Sequence, residues 1–256
     1  MMDDNPTRSS QTQTARAAMT LRDMIVGNRL TADTRLTETQ LAEMLSMSRT
    51  PIRAAIQRLT DEGLLVPMPA GGYAIRRLLP SEIAETIELR GALEGLAARW
   101  LAERGIEREA LKDLVRISDQ IDALLRADHF DRSELPEYER LNAQFHHCLI
   151  TATGSALLGQ EIARANNRPF ASASALVGMY EHNRAARDHL LIGQEHHRAV
   201  LDAIAQRQGA RAEAIMREHA RLSQRNFDHA LGLDRLPENF RGASLILQPQ
   251  EDARTT

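Results

Sequence analysis

Two helix starts stand within about a dozen residues of each other, and no other feature constrains the fold so tightly. Thr37 and Gln40 have capping-box spacing, while Leu36 and Leu41 occupy the two ends of a hydrophobic staple. Leu41, Met44 and Leu45 then share one face, expected to point inward, and the helix ends near Leu45-Ser46. Ser48 opens the next helix as its N-cap, and Pro51 falls in the first turn, where its missing N–H costs nothing. Ile52, Ala55, Ile56 and Leu59 make an i, i+3, i+4, i+7 stripe that must pack on the preceding helix, and Gly63 ends the run.

The flanking segments complete a recognisable order. Ala18, Leu21, Met24 and Ile25 recur at helical spacing from Ala15 to about Gly27. After Gly63 come the short β-tolerant run Leu64-Leu65-Val66, a turn from Met68 to Gly72 and an alternating Tyr73-Ala74-Ile75-Arg76. Helix, helix, short turn, helix and a two-stranded hairpin describe a winged helix-turn-helix over residues 15–77. Residues 1–14 lack periodicity and are expected to form a flexible arm.

Pro80-Ser81 resets the register, and from Ser81 to about Gly232 every pattern is helical. Breaks fall near Gly105, Asp131-Pro136, Gly154, Asn166-Pro169, Asn183 and Gly209, so residues 81–232 should build an all-α bundle of six or seven helices. Residues 233–256 contain Pro237, Gly242 and Pro249, show little period and read as a C-terminal tail with a frayed end. The fold class expected is mainly α.

Composition narrows the function. At 43% apolar and 26% charged the chain can bury a core, and at 4% aromatic it lacks the side chains for a base-stacking platform. No apolar run approaches the ~18 residues of a membrane span, and the polar N-terminus lacks a secretory signal. Cys148 is the single cysteine, so no internal disulfide or thiolate metal site can form. These features read as a cytoplasmic protein. The net charge of −3 hides a positive front: residues 1–80 hold ten arginines against eight acidic groups, and the remainder is acidic. Apart from Lys112 every positive side chain is a guanidinium.

Packing the Ile52/Ala55/Ile56/Leu59 stripe turns Arg49 and Arg53 onto an exposed flank, one helical turn apart. A guanidinium there can pair bidentately with guanine O6 and N7 in a major groove. Ser48 and Thr50, at the helix N-terminus, are placed for phosphate oxygens, and Arg35 for the backbone. Gly71 and Gly72 would let the wing tip approach a groove closely. The plainer alternative is that these arginines solvate a helix face.

The helical region holds a second constellation. His197 shares a stripe with Val200, Leu201 and Ile204, and His219 with Ile215, Met216 and Leu222. Their helices meet near Gly209, which in an antiparallel hairpin brings the two imidazoles to similar heights. His146 lies on one stripe with Asn142, Leu149 and Ile150, whereas His147 is rotated away, and His196 is the weaker candidate on its helix. Three inward imidazoles and an amide oxygen would suit a divalent metal such as zinc, or nickel. Any one of these histidines alone is better explained as a buried ring held by one hydrogen bond; three together on core faces are less easily explained that way. Arg90, four residues before Glu94, has two readings: a ligand-binding cation or an i+4 ion pair.

The segment LTETQLAEMLSMSRTPIRAAIQRLTDEGLL resembles the helix-turn-helix of GntR-type bacterial transcription regulators, in which an S-R-T-P-x-R segment opens the recognition helix. The helical remainder resembles the FCD ligand domain of the FadR-like branch. By that resemblance Arg35, Arg49 and Arg53 are DNA-contacting positions and Gly71-Gly72 a minor-groove contact. NAQFHHCL, EHHRAVLDAI and AIMREHARL resemble the segments that supply metal ligands, which makes Asn142, His146, His197 and His219 the matching positions. Arg90 stands at the family's arginine position. The sequence departs at Ala54, where glutamate is common, at Asp33-Thr34, in place of Pro-Gly, and at Asn142, where the commonest metal-binding version has aspartate.

The resemblance implies no enzyme but a homodimeric regulator that binds a palindromic operator in double-stranded DNA and responds to a small carboxylate effector. RGALEGLAARWLAERG and the stretch around NNRPFASASAL are most similar to vanillate-responsive repressors, which points to an aromatic acid. Two alternatives remain: a metal-dependent hydrolase, disfavoured by the lack of a His-Glu-x-x-His motif, and a regulator for which the metal itself is the signal.

Overall fold

The computed structural model describes residues 6–31, 34–127, 130–173, 175, 184–232 and 241–247. They divide into two compact units, one of Met1–Pro80 with Phe240–Thr256 and the other of Ser81–Asn239.

The first unit is built from α1 (Pro6–Val26), α2 (Glu38–Leu45), α3 (Arg49–Asp61), β1 (Leu65–Pro67) and β2 (Tyr73–Ile75). Helix α1 begins earlier than its periodicity predicts. Residues 6–14, expected within a flexible arm, are helical, because Pro6 presets a first-turn φ and its missing N–H would be unpaired there anyway. Ala17, Ala18, Leu21 and Ile25 are buried, and α1 packs on α3. The Thr37–Gln40 capping box is formed in both directions, with Gln40 N donating to Thr37 Oγ1 at 3.3 Å and Thr37 N to Gln40 Oε1 at 3.1 Å. Leu36 and Leu41 are both buried, as a staple requires. Met44 does not face inward: it is 50% exposed, since an eight-residue helix buries only the Leu41/Ala42 side.

Ser46 takes a left-handed φ of 51° and turns the chain into α3, whose Pro51, Ile52, Ala55, Ile56 and Leu59 are buried. Burying Ile52, Ile56 and Leu59 stabilises the unit by roughly 1.5–3 kcal/mol each. Arg22 and Arg58 both pair with the buried Glu62, just beyond the end of α3. Strands β1 and β2 pair antiparallel with Leu65 opposite Ile75 and Pro67 opposite Tyr73, and Leu36 bridges to Tyr73.

Residues 241–247, expected in a loose tail, are a packed part of this unit. They form a 3-10 turn at Ala243–Leu245 and a parallel bridge from Ile246 to Leu78, with Leu245 and Ile246 buried. The apolar triplet Leu245-Ile246-Leu247 is too short to show a period, and its partners lie far away in sequence.

The second unit contains α4 (Pro80–Arg104, of which Pro80 falls in the first unit), α5 (Arg108–Arg126), α6 (Leu135–Ala152), α7 (Ala156–Asn166), α8 (Arg184–Ala205) and α9 (Gly209–Gly232). A core of Ile117, Ile121, Phe145, Leu149, Val200, Ile204 and Met216 joins α5, α6, α8 and α9. Helices α4 and α9 approach closely: a Cβ added at Gly91 would stand 2.6 Å from the Ala220 Cβ. The described helices end where Gly105, Gly154 and Asn166 predict, while the expected break at Asn183 lies outside the described residues. The mainly α class, with a small sheet in the first unit and a helical second unit, is as the sequence predicts. No described helix is long and apolar enough to cross a membrane.

Candidate functional site

The exposed flank of α3 is the first candidate. Arg49 and Arg53 are 65% and 68% exposed, and Ser48 and Thr50 are exposed beside them. Ser48 is the N-cap but makes no side-chain cap bond, so its hydroxyl is not spent on the helix. Both guanidiniums meet one carboxylate that sequence reasoning missed. Arg53 donates from Nε and Nη2 to Glu38 Oε1 and Oε2 at 2.8 and 2.9 Å, and Arg49 Nη2 reaches Oε2 at 3.3 Å. The hydrogen bonds from Arg53 hold the Glu38 carboxyl below its ordinary range. Glu38 sits in the first turn of α2, where an acid also favours the helix dipole, and nothing local in the sequence marks its reach to α3.

Arg35 is exposed, and its Nη2 donates to the Ala70 carbonyl at 2.7 Å, which ties it to the wing tip. Gly71 and Gly72 have φ of 81° and 80°, the left-handed region that glycine tolerates. At Gly72 a Cβ would stand 2.8 Å from the Leu36 carbonyl, so that glycine admits the Arg35-Leu36 backbone of its own unit.

The second candidate lies among α4, α6, α8 and α9. One ring nitrogen from each of His146, His197 and His219 falls within 4.8 Å of the others, and all three residues are buried. Ring centroids stand 4.5 Å apart for His197 and His219, and 5.4 and 5.2 Å from His146 to each. Burial, with smaller repulsion from neighbouring imidazoles, pushes His197 and His219 well below the usual histidine value, so both rings are neutral. Asn142 is buried on the same helix one turn before His146. His196 is half-buried with its ring 6.0 Å from that of His219, and His147 is exposed.

A donor set of three imidazoles fits a borderline divalent ion. The test is the nitrogens themselves: His146 Nε2, His197 Nε2 and His219 Nδ1 are buried and make no hydrogen bond. Three such groups in one chamber cost free energy unless something accepts their lone pairs.

Glu94 and Arg90 border this cluster. Arg90 Nη1 stands 3.4 Å from Glu94 Oε2, so the i+4 pair is made, and both residues are fully buried. Glu94 Oε1 lies 3.1 Å from His146 Nδ1. Burial opposes ionisation of Glu94, yet His146 and Arg90 outweigh it and hold the carboxyl at about 2. A cavity of about 560 Å³ opens between α6 and α7, with Glu94, His146, His147, Thr151, Ser155 and Asn166 among its lining. Arg90 is not on that wall; the carboxylate one turn along α4 has captured its guanidinium.

Comparison with known proteins finds a family profile in each unit. The FCD domain profile matches residues 85–222, more than half of the chain, and the profile of bacterial regulatory proteins of the gntR family matches residues 13–75. The chain belongs to the gntR family and carries an FCD domain. This GntR-family protein is 35% identical over 114 residues to an HTH-type transcriptional regulator in the ttuE-ttuC' intergenic region of Agrobacterium vitis, covering 44% of this chain and 64% of that protein. It is 26% identical to the gluconate operon transcriptional repressor of Bacillus subtilis, covering 64% of each chain. The chain thus spans less than two thirds of either relative. The fold is shared with E. coli McbR/YncC, at a TM-score of 0.59 and 18% identity over 85% of this chain and 97% of that one. These relatives are regulators rather than enzymes, and the hydrolase alternative finds no support among them.

Sequence reasoning brought together the three histidines, and they meet. It paired Glu94 with Arg90 and missed its contact with His146. It also missed Gln194, whose Oε1 lies 3.1 Å from His197 Nδ1. Its position three residues before His197, on the same helical face, was the available signal.

Proposed function

We propose that this protein is a sequence-specific DNA-binding transcriptional repressor, released from a palindromic operator by a small organic carboxylic acid. The observation that carries the reading is the pair of exposed guanidiniums at the opening of α3. Arg53 and Arg49 would read guanine edges, Ser48, Thr50 and Arg35 phosphates, and Gly71-Gly72 would approach the minor groove. A homodimer would present two such helices to half-sites about one helical turn, ~10 bp, apart. Residues 15–77 are the proposed DNA-binding domain and 81–232 the effector and dimerisation domain, with 1–14 and 233–256 flanking them.

The proposed effector site is the chamber beside the histidine cluster. His146, His197, His219 and Asn142 would hold a divalent cation, zinc or nickel by donor type. When bound, such an ion supplies open coordination positions that a carboxylate oxygen can fill. Arg90 is the proposed second anchor for that carboxylate, in exchange for Glu94. Resemblance to vanillate-responsive repressors favours a methoxylated or hydroxylated benzoate, whereas likeness to a gluconate operon repressor favours a sugar acid. The effector acts only through different affinities for two arrangements of the dimer.

Two assays test the reading. Gel shifts on genomic fragments should give a sequence-specific complex that dissociates with the acid, and its absence would refute the DNA assignment. A thermal-shift screen of carboxylic acids, with and without zinc, should identify the effector by stabilisation. If zinc alone releases the operator, the metal is the signal instead.

A further inference from the structure

We propose that Gln194, anchored by Ser118, is a positioning residue that fixes His197 in its Nδ1–H form and so keeps the Nε2 lone pair on the metal side. The inference rests on the metal reading above and adds a group that supports the ligand without touching the ion.

The argument is one of hydrogen-bond inventory. Gln194 is buried on α8, and its amide nitrogen donates to two atoms of Ser118 on α5: the backbone carbonyl at 2.8 Å and the hydroxyl at 2.9 Å. A backbone carbonyl can only accept, so the amide nitrogen must face Ser118; the flipped amide would set two oxygens against each other. The remaining end of the side chain is therefore an acceptor, and it lies 3.1 Å from His197 Nδ1. An amide oxygen carries no proton, so the proton in that contact belongs to Nδ1. A neutral imidazole has one N–H, and Nε2 is left with a lone pair.

That nitrogen is buried and makes no hydrogen bond. An orphaned acceptor in a closed site is unfavourable as structure alone, but it is what a metal ligand presents. His146 is not held in this way: its Nδ1 lies 3.1 Å from Glu94 Oε1, but neither atom makes a hydrogen bond there, and its Nε2 makes none either. Ser118 makes the His197 orientation depend on how α5 packs against α8.

The test uses the full-length protein with histidine labelled in ¹⁵N. In the metal-free wild type, long-range ¹H–¹⁵N spectra should show His197 protonated at Nδ1. Gln194→Met should give Nε2–H or a mixture and weaken Co(II) and Zn(II) binding by roughly 10- to 100-fold. Gln194→Glu keeps the acceptor and should restore the Nδ1–H form. If Gln194→Met fails to fold, Ser118→Ala removes one anchor and should shift the same populations in the same direction. His197 protonated at Nε2 in the wild type would overturn the proposal. So would Co(II) affinity unchanged by Gln194→Met but abolished by His197→Ala. A wild type that binds neither ion would sink the metal reading, and this proposal with it, even with the tautomer as expected.

Discussion

The segment from 241 to 247 gives the sharpest test of the architecture. Residues 241–247 lie outside both matched regions, yet they are built into the unit that carries α3. Gly242 N donates to the Val26 carbonyl at 3.0 Å, Leu78 N to that of Leu245 at 2.7 Å, and Leu247 N to that of Leu78 at 2.9 Å. Leu245 is 2% exposed and Ile246 3%. Truncating a buried leucine to alanine costs about 2–5 kcal/mol, the lost transfer energy plus the cavity left behind. The loss has a ceiling, because the segment can detach once its docking becomes unfavourable. Leu245→Ala should then match the variant that ends at residue 240. Both should lower the urea midpoint of the first unit, followed through amide exchange of α1 and α3, and both should weaken operator binding. Leu78 follows β2 in the chain, so the segment also holds the residues after the hairpin within the first unit. If Leu245→Ala and the truncation both leave unfolding and operator affinity unchanged, the packing argument is wrong.

Three further outcomes follow from the two sites. Arg53→Ala should relax preference at one base position of the operator by roughly 5- to 150-fold in affinity, read by competition gel shift, with little change at other positions. His197→Ala combined with His219→Ala should abolish metal binding and the effector response while sparing operator binding; in the wild type, zinc at 100 times its dissociation constant should add about 2.7 kcal/mol of stability. Stability of the helical unit should fall as pH drops below 6.5, because burial lowers both histidines and the unfolded chain then takes up protons first. Glu94 has the opposite charge type, and its contribution persists until pH falls from about 4.5 toward about 2, so urea melts at pH 7 and pH 5 isolate the histidines. A double His→Gln variant with the same pH slope would contradict this.

What could be read in advance depended on the range of the interaction. The α2–α3 pair was legible because a capping box, a Ser48 N-cap and a Pro51 in the first turn are local devices. The His197–His219 meeting was legible because a hairpin near Gly209 sets both heights by arithmetic along two helices. Local patterns also misled: one helical stripe took in Met44, and a lack of apolar period hid the helix from Pro6. Contacts across long separations left no trace. Glu38 to Arg53, Ser118 to Gln194 and Leu78 to Leu245 each join segments whose own patterns are satisfied without them.

The neutral Asn142 becomes intelligible only with these distant groups in view. Imidazole and amide ligands carry no negative charge, so three histidines and Asn142 would leave a divalent ion's charge uncancelled. Glu94 is ionised beside His146, but Arg90 beside it returns most of that charge. The chamber would therefore stay strongly positive at low dielectric, where an unbalanced charge is costly. An anionic effector relieves that cost and a neutral one does not. Replacing Asn142 by aspartate should accordingly tighten metal binding while weakening the carboxylate, and isothermal titration with the ion and then the acid separates the two. If Asn142→Asp strengthens both, charge balance does not select the effector.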